Sequence, residues 1–264
     1  MGPQAPIIPA AAHDKQEPSV PTREQRIRDP HAGKGQADYS PISHKERRLD
    51  RKIFYDCIRD DLFNGVLRQQ NVNGMDAILN FWDSPPNPPT GEFKTNWDIR
   101  SIGWLAYMLA TTKHETASTM QPIDEYGDNA YFTRMYENRS DLGNNEPGDG
   151  ARFHGRGFVQ LTGRANYTKM TGVVQSIFPE APDFTQHPDA VKDDRYAAVI
   201  MFDGMFCGIF TGWALKNFIG DPLKGQIVDY FHARKIINGM DKADLIETYA
   251  KKFSTALDKA GATT

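Results

Sequence analysis

From about residue 46 onward, apolar side chains recur at the three- and four-residue spacing that gives a helix one buried face. Leu49, Ile53, Ile58 and Leu62 set the first such stripe, and Ser43, with Glu46 three residues on, has the chemistry of its N-cap. Gly74 to Trp82 predicts a second helix, ended by the proline-rich SPPNPP. Asp98 opens a third, with Ile99, Ile102, Leu105, Met108 and Leu109 as its buried stripe. Between Tyr126 and Asn166 the texture changes to Gly, Asn and aromatic residues in short alternating runs, which predicts loops and a small sheet. In FVQLT (158–162), alternation as a strand buries Val159 and Leu161 and turns Phe158, Gln160 and Thr162 the other way. Helical spacing resumes beyond Asn166, through Ala197 to Ile219 and again near Leu245 to Leu257. The pattern predicts an α+β chain, predominantly helical, with a small hairpin-and-loop lobe near its middle.

Residues 1–45 break this pattern. They hold seven of the 17 prolines and almost no apolar period, so they cannot bury enough surface to offset their ordering entropy. The expectation is a flexible tail, or a docking arm that orders on a protein partner, followed by one domain over 46–264.

Charge separates the same two regions. The net of -3 resolves into about +3 over residues 1–52 and about -6 over the remainder. The larger part lacks the clustered basic face of a nucleic-acid binder. Two cysteines, Cys57 and Cys207, are too few for a disulfide scaffold and too far apart in sequence for a zinc site. They are expected as small buried apolar side chains. The N-terminus lacks the basic and apolar regions of a Sec signal. Ala197–Ile219 is interrupted by Asp203, Lys216 and several glycines, which predicts a buried helix or helix pair and no membrane span. Synthesis in a host cytoplasm is implied, with any action outside depending on a separate route.

Three segments carry candidate chemistry. His114-Glu115-Thr116 closes the third helix, where Glu115 shares a face with Thr112 and Met108. A carboxyl at the mouth of an apolar stripe loses solvation and holds its proton more tightly, as a general acid requires; an exposed Glu on a helix end is the alternative. A zinc-protease motif would need a second His at 118, where the chain has Ser118. Glu137 lies between Arg134 and Arg139, which would hold it ionised, either as a base or as half of a surface ion pair. In GDGARFHGRGFVQLTGRANY (148–167), Gly150, Gly155 and Gly157 predict tight turns and close backbone approach. No Lys-Ser or Lys-Thr follows them, so this is not a phosphate loop. Gln160 and Thr162 would present an amide and a hydroxyl side by side, suited to sugar hydroxyls and a bound water or to plain solvent.

Taken together, KHET, YFTRMYENR, GRGFVQLTGRANY and IING resemble family 19 glycoside hydrolases, and most closely their phage and prophage endolysins. The similarity runs from about residue 46 to the C-terminus. It implies a lysozyme-like fold and an inverting mechanism with Glu115 as acid, Glu137 as base and Thr162 helping to hold the attacking water. Gln160, Asn166 and Asn238 match sugar-contacting positions, and His114, Tyr126 and Tyr131 are expected to line the cleft. Glu125, ten residues after Glu115, is the fallback for the second carboxylate. An inverting pair stands roughly 6.5–9.5 Å apart.

The chain has HETAST where plant-type chitinases have HETTGG, and it lacks their disulfides and extra loops. That favours bacterial peptidoglycan over chitin oligomers. The expected reaction is cleavage of the β-1,4 bond between N-acetylmuramic acid and N-acetylglucosamine, for lysis or wall penetration. No metal or organic cofactor is implied. An endochitinase is the alternative enzyme. A virion tail-associated structural or wall-binding protein, docked through residues 1–45, is the alternative from another class.

Overall fold

The computed structural model describes residues 49–86, 101–220 and 226–262. The proline-rich arm, the expected Ser43 cap and the expected helix start at Asp98 and Ile99 lie outside these residues.

Helix α1 (Arg51–Phe63) is capped by Asp50, whose carboxylate accepts a hydrogen bond from the Ile53 amide at 3.0 Å, and it ends at Asn64 in the left-handed region. Its buried row is Phe54, Ile58 and Leu62. Ile53, expected in that row, faces outward. Phe54 takes the inner position and stacks on Phe253, with ring centroids 6.3 Å apart. Helix α2 (Gln69–Asp83) begins five residues before the expected start. Helix α3 (Ile102–Glu115) is buried from Leu105 through Lys113 and again at Glu115. A helix apolar on one stripe was expected; one buried all round becomes the centre of the domain. Tyr107, at its middle, donates to the Ala233 carbonyl at 2.6 Å.

Helix α7 (Asp194–Cys207) stops at Gly208, whose φ of +68° continues no helix. The apolar run beyond it forms a 3-10 turn at Leu215–Asn217. Helix α9 (Ala243–Lys259) is amphipathic, and its row Ile246, Ala250, Phe253 and Leu257 packs into the common core. No helix among the described residues is long and apolar enough to cross a membrane. Both cysteines are free thiols; Cys57 is half-buried and Cys207 exposed, so the expectation that both are buried does not hold.

The lobe between α3 and α6 (Arg164–Ile177) is more helical than expected. It holds β1 (Ile123–Asp124), α4 (Asn129–Tyr136), the single-turn α5 (Asp149–Arg152) and β2 (Arg156–Gly157). The two strands pair antiparallel, with Ile123 opposite Gly157 and Asp124 opposite Arg156. FVQLT is not a strand. Gly157 at φ +86° and Gln160 at φ +56° fold it into a turn, and Leu161 bridges back to Arg156. Phe158 is consequently buried and does not face outward.

One close approach ties α2 to the lobe. A Cβ on Gly74 would lie 1.7 Å from the Met120 carbonyl oxygen, which is backbone and cannot swing aside. Gly74→Ala is expected to cost about 3 kcal/mol by forcing helix and loop apart. Urea unfolding of the two proteins measures this directly.

Candidate active site

Glu115 is the last residue of α3 and only 5% exposed. Its partner is Arg234, 1% exposed, in the 3-10 turn Arg234–Ile236 that follows α8 (Tyr230–Ala233). The Arg234 Nη1 donates to Glu115 Oε1 at 2.6 Å, while Nε donates to the Asp241 carbonyl at 3.0 Å. The guanidinium is thus aimed by a backbone oxygen on one side and by the carboxylate on the other. The expected apolar mouth around Glu115 therefore contains a buried cation.

The second carboxylate near Glu115 is Glu125, directly after β1. Tyr136 donates its hydroxyl to Oε1 at 2.9 Å and to Oε2 at 3.0 Å, and the Gly155 amide donates to Oε2 at 3.1 Å. The Tyr131 hydroxyl also acts on it. Burial pushes the Glu125 carboxyl up from its ordinary value and the negative charge of Glu115 adds to this, while the Gly155 and tyrosine donors pull the other way. Gly155 lies tight against both side chains. A Cβ would lie 2.9 Å from Gln160 Oε1 and 3.1 Å from Glu125 Oε2, so these two side chains converge on one point of the backbone.

Seven residues between the end of α3 and β1 set where the two acids stand. Ala117, Ser118 and Met120 all have positive φ, 49°, 64° and 60°, a costly conformation for residues with a Cβ. The turn is held from outside: Asn71 Nδ2 donates to the Ser118 carbonyl at 2.8 Å and to the Thr119 carbonyl at 3.0 Å. Lys113 Nζ donates to Ser118 Oγ at 2.7 Å. On the other side of Glu125, Asp124 accepts from Arg156 Nε at 3.0 Å and pairs with Lys192.

Glu137 has a different set of partners. It caps the end of α4 and accepts from the Gly148 amide at 2.7 Å and the Gly150 amide at 2.7 Å. Neither flanking arginine is its partner: Arg139 chelates Asp141, at 2.8 and 2.6 Å, and Arg134 lies over the Tyr131 ring. The carboxylate joins α4 to the start of α5. Glu137→Gln turns one acceptor oxygen into a donor facing an amide. The expected result is a loss of about 2 kcal/mol of stability with turnover kept within about tenfold, checked by thermal unfolding and by initial rates.

The remaining candidates form a polar chain. Gln160 Nε2 donates to the Gly157 carbonyl at 3.1 Å and to the Ile123 carbonyl at 3.3 Å, spanning the two strands. Thr162 Oγ1 donates to the Gln160 carbonyl at 2.8 Å, and Asn166 Nδ2 to the Thr162 carbonyl at 2.9 Å. Asn238 receives its position from Arg234, whose carbonyl accepts the Asn238 amide at 3.0 Å. His114 is partly buried, and burial holds its imidazole below the ordinary value. Tyr126, next to Glu125, is 52% exposed. Among the described residues no cluster of His, Cys, Asp and Glu has the makings of a metal site. Arg234 and Tyr136 were not legible as site residues: a single cation 119 residues from its carboxylate leaves no spacing to read.

The arrangement is a paired-carboxylate site, with one acid gripped by a buried cation and the other ringed by hydroxyl and amide donors. Solved structures similar to this chain include chitinase C from Streptomyces griseus HUT6037, at 16% identity and a TM-score of 0.46, covering 82% of this chain and 78% of that one. A mutant of chitinase C gives the same values. A bacterial family 19 chitinase follows, at 15% identity and a TM-score of 0.43, covering 79% of this chain and 94% of that one. No protein-family model and no curated protein matches the chain.

Proposed function

We propose that the chain is a glycoside hydrolase of the family 19 endolysin type, with a lysozyme-like fold, that cuts the β-1,4 bond between N-acetylmuramic acid and N-acetylglucosamine in bacterial peptidoglycan. The observation that carries this is the Glu115–Glu125 pair, one carboxyl buried and the other half-buried, within electrostatic reach of each other. Inverting hydrolysis needs two such groups, one to donate a proton and the other to accept one.

In the proposed reaction Glu115 gives its proton to the glycosidic oxygen as the bond from the anomeric carbon breaks. Glu125 takes a proton from a water whose oxygen bonds to that carbon from the opposite face. The product carries an inverted hydroxyl, Glu115 is left ionised and Glu125 protonated, and one proton exchange with solvent restores the start. Gln160, Thr162 and Asn166 are proposed to border the attacking water, and Tyr126, Tyr131 and Asn238 to contact sugars. Glu125 takes the base role in place of Glu137.

A second assignment has its own support: burial raises Glu125, and Arg234 stabilises charge on Glu115, which would make Glu125 the donor. Substrates with leaving groups that need no protonation separate the two. They restore turnover to whichever glutamine variant has lost the acid.

Substrate and bond are tested together. Purified sacculi are digested and the released muropeptides are analysed by mass spectrometry for the sugar at the new reducing end. N-acetylmuramic acid supports the proposed cut, and N-acetylglucosamine reverses it. Rapid turnover of chitin oligomers with intact sacculi replaces peptidoglycan by chitin.

A further inference from the structure

Glu125 is surrounded by influences of opposite sign. Burial and Glu115 on α3 resist its ionisation; the Gly155 amide before β2, and Tyr131 and Tyr136 on α4, favour it. Behind it, Asp124 is engaged by His154, Arg156 and Lys192, and Arg234 bears on the pair through Glu115.

The three donors are not equivalent. Tyr131 is only half-buried, so water can replace its hydroxyl. The Gly155 amide is backbone and approaches one oxygen alone. Tyr136 is buried at the end of α4 and reaches both oxygens. Its setting is rigid: the Asn144 amide nitrogen donates to the Tyr136 carbonyl at 2.9 Å, and Phe132, one turn earlier, stacks on His154 with centroids 4.0 Å apart. Burial and the neighbouring Glu125 raise the phenol far above its ordinary value, with Arg139 opposing weakly, so it remains an O–H donor.

We propose that Tyr136 is a positioning residue, whose hydroxyl fixes the Glu125 carboxylate and keeps it in the charged form that can accept a proton from water. The proposal rests on the hydrolase reading and adds the group that makes Glu125 a base in surroundings that otherwise disfavour its charge.

The test is Tyr136→Phe, which removes one oxygen from a buried ring and leaves its packing. Carboxyl-carbon NMR of the full chain follows the titration of Glu125 without any turnover. The expected midpoint rises by about one pH unit. The acidic limb of the pH dependence of kcat/KM on sacculi moves up by the same amount, with KM changed less than twofold. Tyr131→Phe should shift both by less than half as much. Replacing Tyr136 with 3-fluorotyrosine keeps the fold contacts and strengthens the donor, so the midpoint should fall.

An unchanged Glu125 midpoint in Tyr136→Phe overturns the proposal. So does a raised midpoint with an unmoved acidic limb, because the hydroxyl would then not serve the reaction. Failure of the wild-type protein to cut any glycan removes the hydrolase reading instead, and the NMR titration still decides whether Tyr136 controls Glu125.

Discussion

Glu115→Gln is expected to lower turnover of sacculi by about 10³–10⁴-fold while leaving the domain folded. The amide cannot donate a proton to the departing oxygen, but its carbonyl can still accept the Arg234 hydrogen bond now made at 2.6 Å. That distinguishes it from Glu115→Ala, which would strand the Arg234 charge in the interior and cost about 3–5 kcal/mol. Initial rates on labelled sacculi, with circular dichroism of the same preparation, check the expectation. Turnover within tenfold of wild type would remove Glu115 from the chemistry. A variant that still binds sacculi but does not cut them would separate catalysis from attachment, the role of a wall-binding virion component.

Glu125→Gln is expected to be as severe, about 10³-fold in kcat. Its signature should differ from that of Glu115→Gln. A small external anion such as azide can occupy the space of the water and attack without deprotonation, so it should restore turnover in a Glu125→Ala or Glu125→Gly protein and yield an inverted glycosyl azide. No such rescue is expected at Glu115. The comparison with Glu137→Gln is the sharpest part: the acid tied to the Gly148 and Gly150 amides should lose stability, and the acid facing Glu115 should lose chemistry. If Glu137→Gln were the inactive protein and Glu125→Gln the active one, the pair would have to be reassigned.

The helices were readable where burial is periodic. Ile58 and Leu62 in α1 and the Leu245–Leu257 region of α9 have the spacing they need; Gly150 does lie close to the Glu137 backbone and Gly157 in a left-handed turn, while Gly155 meets side chains instead. Errors arose where local pattern competes with backbone chemistry. FVQLT alternates like a strand, but Gly157 bends the chain before the strand can form. Helix α4 has eight residues and one buried pair, Phe132 and Tyr136, too short for a period to show. The choice of Glu137 came from the resemblance and from two flanking arginines; in three dimensions one of those arginines prefers Asp141 and the other a tyrosine face. Proximity in sequence was a poor guide to which charge meets which. Glu125 stands out less in the sequence than Glu137, because its tyrosine donors come from a helix that the composition of the lobe conceals.

The ion pair between α3 and the turn before α9 also bears on timing. A growing chain makes Glu115 long before Arg234, and α3 and α8, the helix just before Arg234, both pack on α9, which is made later still. Until Arg234 is in place the carboxyl lacks this cation, and the paired-carboxylate site is incomplete. A polypeptide that stops short of Arg234 would lack that cation, and under the proposed function it is expected to be inert.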